Sequence, residues 1–172
     1  MTNQQLRPLL ARATRTLHEN DWIPPLLVRL FVGYFFFETG WAKIHHLDGF
    51  TERFTEWGIP FPWFSARLSA YTEFIGGGLT VLGLGTRLVS IPMIINMIVA
   101  VITVKMKSVT GLDEFVELDE PVYALCFLWL MFSGAGVVSL DYVLGAMLGF
   151  GDRASGQKSA ELRDDPIGKL LT

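Results

Sequence analysis

Four long apolar stretches separated by short polar ones occupy the middle of the chain, and this alternation predicts helices of membrane length. The first opens at Asp21 and Pro24, a helix start with proline in its first turn. It runs LLVRLFVGYFFFETGWAKI to about His45. The second, LSAYTEFIGGGLTVLGL, occupies about Ala66 to Leu84, and after a Gly85-Thr86 turn the third, LVSIPMIINMIVAVITV, runs from Leu88 to about Val104. The fourth follows Asp119-Glu120-Pro121 and continues VYALCFLWLMFSGAGVV, with Gly134 and Gly136 as points where the helix can end early. Spans are expected at about 24–45, 66–84, 87–105 and 120–138, within a membrane domain of 23–149. A water-soluble bundle would need charged outer faces, and these segments have almost none. The expected fold is therefore an all-α, integral membrane four-helix bundle.

Charge in the flanks sets the orientation. Arg7, Arg12, Arg15, Arg87, Arg153, Lys158, Arg163 and Lys169 would share one side, eight residues in all. The other side would carry five, Lys43, Arg53, Arg67, Lys105 and Lys107, together with the acidic group Asp113, Glu114, Glu117, Asp119 and Glu120. This bias predicts both termini inside, N-in/C-in. Trp22, Trp41, Trp57 and Trp63 fall near the expected span ends, where interfacial aromatics belong. Within a cytoplasmic segment 1–22, residues 4–18 place Leu6, Leu9, Leu10 and Leu17 on one broad face, away from most of the arginines. That pattern fits a short interfacial helix on anionic lipid, and equally a disordered tail that carries orientation charges. A second short interfacial helix is expected after the fourth span, then a polar, mobile cytoplasmic tail over 150–172. The loop GIPFPWF (Gly58 to Phe64) should pack on the outer membrane surface.

Composition alone would understate this reading. The hydrophobic fraction is 51% and the mean hydropathy +0.39, because two polar tails dilute an apolar middle. With 172 residues there is room for one domain. Net charge is −3 with no Lys/Arg run, so nucleic acid is not an expected partner. Cys126 is the only cysteine, which excludes an internal disulfide, a CxxC pair and a cysteine-ligated cluster. Residues 1–21 lack an apolar core and a small-residue cleavage site, so no cleavable signal is expected.

The ionisable residues inside the expected spans carry the most information, because each costs at least a few kcal/mol unless paired or facing a cavity. Glu38 and Glu73 both lie roughly 10 Å below the outer surface, at 1.5 Å per residue. Arg29, Gly33, Phe36, Gly40 and Lys43 recur at helical spacing and share a face. Glu38 lies about 180° from Arg29 and shares its own face with Tyr34, Trp41 and His45. Two polar faces imply a first helix surrounded by protein. Interior stripes are expected at Glu73, Gly76, Gly77 and Thr80, at Pro92, Asn96, Ala100 and Thr103 (with a kink at Pro92), and at Tyr123, Cys126 and Ser133. Together they outline a polar pocket in the outer half, bounded by Glu38, Glu73, His45 and Tyr123, with Lys43 and Lys105 near its mouth. Simpler readings stand beside this one. Asn96, Thr103, Ser133 and the glycines suit helix packing, Arg29 and Lys43 can snorkel, and Arg87 suits a topology charge at a tight turn. His45 and His46 diverge on a helix and lack a third ligand, so no metal is expected.

These pieces, in this order and spacing, resemble the DoxX family of four-span bacterial membrane proteins over about residues 24 to 145. They are the first span with its early arginine and closing Gly40 to Lys43, the GIPFPWFSARLSAYTEFIGGGLTVLGLGTR stretch, the VAVITVK end of the third span, and GAGVVSLD (Gly134 to Asp141). The resemblance implies a location in the bacterial cytoplasmic (inner) membrane and Arg29, Glu38, Lys43, Glu73 and Arg87 as characteristic residues. It also implies a role as the membrane subunit of a redox system, an anchor or quinone-interacting component of an oxidoreductase. The chain shows no haem, flavin or iron–sulfur signature, so no covalently bound cofactor is expected and quinone is the candidate. Expected partners are membrane lipids and either an oxidoreductase subunit or further copies of the chain. A non-catalytic scaffold, and an oligomeric transporter of a small solute or metal-binding peptide, are the alternatives.

Overall fold

Proline and glycine set the helix ends. The computed structural model of the chain describes residues 20–107 and 109–148, and no strand occurs among them. Helix α1, Ile23–His45, starts with prolines in its first turn, where a missing N–H leaves no carbonyl unpaired. A break at His46 leads into α2, Leu47–Glu56. Helix α3, Pro62–Leu82, begins after Phe61 at φ 51, a conformation that costs a side chain about 1–2 kcal/mol. It ends at Gly83, φ 67, where Gly83 N–H donates to the Thr80 carbonyl and Leu84 N–H to that of Leu79. This paired closure requires a left-handed residue, and glycine supplies it without strain. Helix α4 spans Thr86–Thr103 and passes through Pro92 without interruption. A 3₁₀ turn at Lys105–Lys107 and the short α5, Leu112–Val116, lead to α6, Asp119–Ser133, and α7, Leu140–Met147.

The second long helix starts at Pro62 rather than near 66. The fourth stops at Ser133 rather than near 138, because Gly134 takes φ 77 and ψ −169. Helix α7 stands where a short helix after the fourth span was expected. The interfacial helix expected at 4–18 and the tail at 150–172 lie outside the described residues.

Helix α1 packs chiefly on α3 and α4 on α6, while α3 meets α4 and α1 meets α6, so the four longest helices close a ring. Val32, Phe36, Met93, Met97, Phe127 and Leu130 form its core. Outside the ring, Phe54 of α2, Ile59 and Ala66 make a second cluster that fastens α2 onto α3. Large apolar side chains dominate the exposed surface, among them Phe31, Leu68, Leu88, Ile95, Ile102, Leu125 and Phe132. Among the described residues one helix, Thr86–Thr103, is by itself long and apolar enough to cross a membrane. Helices α1 and α3 have the length, at 23 and 21 residues, but each carries buried charge.

Two expected stripes are displaced. In α4 the buried face is Thr86, Ser90, Met93 and Met97, with Pro92 exposed and Asn96 at its edge. In α6 it is Phe127 and Leu130; Tyr123 and Cys126 are half-buried and Ser133 is exposed. In α6 and the middle of α4 large apolar side chains take the core positions, while Thr86 and Ser90 are buried at the start of α4. The expectation that protein surrounds α1 is also corrected. Tyr34, Glu38, Trp41 and His45 all face outward, and one side of the helix stays open.

The α1–α3 contact runs backbone to backbone. A Cβ on Gly77 would lie 2.3 Å from the Phe37 amide nitrogen, and one on Gly40 2.3 Å from that of Phe74. A Cβ on Gly78 would meet only the Phe37 ring, at 3.4 Å. Gly77→Ala should therefore destabilise thermal unfolding in detergent by about 2 kcal/mol or more. Gly78→Ala should stay within about 0.5 kcal/mol of the parent. Equal losses at the two positions would remove the close approach as the cause.

Candidate functional site

Glu73 is 3% exposed in the middle of α3, so its carboxylate needs partners from the helices around it. Lys43 reaches from α1 and places Nζ 2.6 Å from Oε1 and 2.5 Å from Oε2. Asn96 of α4 donates its side-chain N–H to Oε1 at 3.0 Å, and the Thr39 hydroxyl donates to Oε2 at 3.3 Å. Thr39 and Lys43 are one helical turn apart, on the side of α1 that Gly40 brings against α3. Above the pair, the Phe50 ring of α2 lies 5.1 Å from Lys43 Nζ, within cation–π range. The lysine side chain keeps 30% of its surface, against 4% for the glutamate. The site is a neutralised ion pair under an aromatic roof, with its cation reachable from outside and its anion enclosed.

The other end of the same α1 face holds Arg29, 2% exposed. Its Nε donates to the Thr80 carbonyl at 3.0 Å and Nη2 to that of Val81 at 2.9 Å, both in the last turn of α3. Nη1 donates to Val138 O at 2.9 Å and to Ala135 O, in the link after α6. The guanidinium fork thus joins a helix end, with its partial negative charge, to a non-helical segment. Asp141 completes this end. Its carboxylate accepts the Gly85 and Thr86 amides at 2.7 and 3.2 Å, capping α4.

Of the residues the sequence nominated for a pocket, the structure unites Lys43 and Glu73 and leaves the others apart. Glu38 is exposed, with no hydrogen bond or ion pair among the described residues, and it does not converge with Glu73. Helical phase is the reason, since Glu38 lies opposite the Gly33, Phe36 and Gly40 face that meets α3. His45 is exposed, with Nδ1 2.9 Å from the Trp41 carbonyl and its ring 4.2 Å from the Trp41 ring. Tyr123 stacks on Phe35 and meets Phe36 edge-on, with centroids 5.0 and 5.2 Å away. Lys105 pairs with Glu120 at 3.1 Å, joining the end of α4 to the start of α6. Arg87 is exposed and lies against Gly134, well away from the ion pair in the fold. Thr39 and Asp141 are contacts that sequence reasoning missed, and Asn96, placed on an interior stripe by the sequence, was not foreseen as a partner of Glu73. Asn96 had a legible signal, as an amide in an otherwise apolar helix.

A family model described as DoxX matches residues 25–106. The chain is 34% identical over 120 residues to a Bacillus subtilis protein whose curated name is "Putative oxidoreductase CatD", covering 69% of this chain and 85% of that one. It is 30% identical over 138 residues to a Mycobacterium tuberculosis protein named as an uncharacterized membrane protein, covering 74% and 85%. No solved structure matches significantly.

Lys43→Met leaves a buried carboxylate without its cation and should cost about 3 kcal/mol, whereas Glu73→Leu leaves a lysine that still reaches outside and should cost less. The double variant Lys43→Met/Glu73→Leu should recover most of that loss. Thermal or denaturant unfolding in detergent measures all three, and strictly additive losses would mean the two side chains do not depend on each other.

Proposed function

The chain belongs to the DoxX family of membrane proteins, and from that premise we propose that it is the membrane component of a redox system. In this reading Lys43, Glu73 and Asn96 meet the polar head of a quinone. One observation carries it, the buried Lys43–Glu73 pair that keeps its ammonium partly accessible at a fixed place. Lys43 and the Asn96 amide are donors suited to a carbonyl, and the Phe50 ring offers a flat apolar surface beside them. A bound quinone would supply the electron-accepting chemistry. The chain's own part would be to bind and orient the head group and to hold a proton donor at Lys43 Nζ. The name of the Bacillus subtilis relative supports a redox association. An oxidoreductase subunit would deliver the electrons, and the exposed acidic residues Asp113, Glu114, Glu117 and Asp119 offer it a docking surface.

The accompanying topology has α1, α3, α4 and α6 each crossing the cytoplasmic membrane, with both termini inside. The exposed apolar girdle and the basic bias of one set of flanks support it. Reporter fusions at both ends should be active on the cytoplasmic side only. A fusion active outside at either end would overturn the four-span arrangement.

A scaffold is the second reading, favoured by the mutual satisfaction of Glu73 and its three donors. The two separate in one experiment on protein purified from native membranes in mild detergent, with extracted quinone quantified per chain. The redox reading expects retained quinone and its loss in Lys43→Gln at matched folded protein. Absence of quinone from the parent protein, or equal retention in the variant, would sink it and leave the scaffold.

A further inference from the structure

Between the α3–α4 turn and the link that follows α6 lies a cleft of about 450 Å³, lined in part by Arg87, Leu88, Ser133, Gly134, Asp141 and Tyr142. That is the size of a small-molecule site. We propose that it binds the phosphodiester head group of a membrane phospholipid, with Arg87 as the anion-binding residue. The inference goes beyond the redox reading and needs only that the chain resides in a membrane.

The walls are fixed before any ligand arrives. Arg29 holds the carbonyls of Ala135 and Val138 on one side, and Asp141 holds the amides of Gly85 and Thr86 on the other. The Asp141 N–H also donates to Gly83 O at 3.0 Å. Arg29 is therefore fully engaged, and the Asp141 charge is met by two amide donors. Arg87 is different. It is exposed, and its guanidinium has no hydrogen bond or ion pair among the described residues. Its place is nonetheless defined by Gly134, on which a Cβ would stand 3.2 Å from Nε and 3.4 Å from Nη2. An unsatisfied planar fork held against a backbone matches two oxygens of a phosphate. Tyr142, exposed in the cleft lining, can add a hydroxyl donor.

The rim selects between sources of phosphate. Leu88, in the cleft wall, is 74% exposed, and Val137, Leu140 and Val143, chain neighbours of lining residues, are exposed as well. Acyl chains would cover this apolar margin, whereas an inorganic anion would leave it bare. The simpler account, a topology arginine bathed in water, does not explain the cleft.

The test uses the full chain in detergent with added phosphatidylglycerol, phosphatidylethanolamine, diacylglycerol or inorganic phosphate. Native mass spectrometry counts retained lipid and thermal unfolding reports binding. Both phospholipids should be retained and raise the unfolding midpoint, while diacylglycerol and inorganic phosphate should do neither. Arg87→Gln should weaken phospholipid binding about tenfold, and Arg87→Lys, which keeps the charge without the fork, about threefold. Both variants should unfold like the parent when no lipid is added; if Arg87→Gln fails to fold, Arg87→Lys carries the comparison. Unchanged phospholipid retention in the folded variants, or equal binding of diacylglycerol, would overturn the proposal. Arg87-dependent binding of inorganic phosphate without lipid would overturn its assignment to a phospholipid.

Discussion

The close contact between α1 and α3 governs the rest of the molecule. At Gly40 and Gly77 the two backbones approach until neither position can carry a side chain. In a bilayer no hydrophobic force drives helices together, so van der Waals contact at small residues must do so. That contact fixes the rotation of α1, and with it what its remaining residues can reach. Lys43 above the glycines meets Glu73 inside α3, and Arg29 below them meets the carbonyls that end α3. One face of one helix therefore places both of its charges, each on a different kind of acceptor.

Arg29 also explains how α6 can stop early. Its 15 residues reach about 22 Å at 1.5 Å per residue, short of the roughly 30 Å of a hydrocarbon core. Under the proposed four-span reading the link after α6 would lie within the membrane, where a non-helical segment is tolerable only if its polar groups find partners in the protein. The guanidinium supplies donors to the Ala135 and Val138 carbonyls, and Ser139 turns back on Gly136 at 2.7 Å. The arginine side chain belongs to the helix that is first in sequence among those described, yet it completes the ends of α3 and α6.

Much of this was legible in the sequence. The 3.6-residue repeat of Arg29, Gly33, Phe36, Gly40 and Lys43 marks the packed face of α1, and the Glu73, Gly76, Gly77 and Thr80 stripe is buried as expected. Pairing across helices was not legible. Matched depth left open whether Glu38 and Glu73 face each other, because depth says nothing of rotation, and the glycine contact turns Glu38 away. The stripes in α4 and α6 failed for another reason. Small polar residues fill the interior only at the start of α4, where Thr86 and Ser90 are buried; farther along α4 and in α6 large side chains do, so Met93, Met97, Phe127 and Leu130 lie inside while Pro92 and Ser133 are exposed and Asn96 sits at the edge, bonded to Glu73. The partners of Arg29 were beyond any sequence reading, because they are backbone carbonyls.

The two carboxylates now have different physical meanings. Glu73 is matched by a lysine and two further donors, so its charge is cancelled where it sits, and what the site presents outward is the lysine. Glu38 stands on an open face with Tyr34, Trp41 and His45, uncompensated by anything in its own chain among the described residues. A translocation site built on both acids would need them to share one cavity, and they stand on opposite sides of α1. What the Lys43 site offers is a partly exposed cation beside a buried anion. An ion path between two carboxylates is not what this arrangement offers, and the proposed quinone contact at Lys43 asks for no second acid.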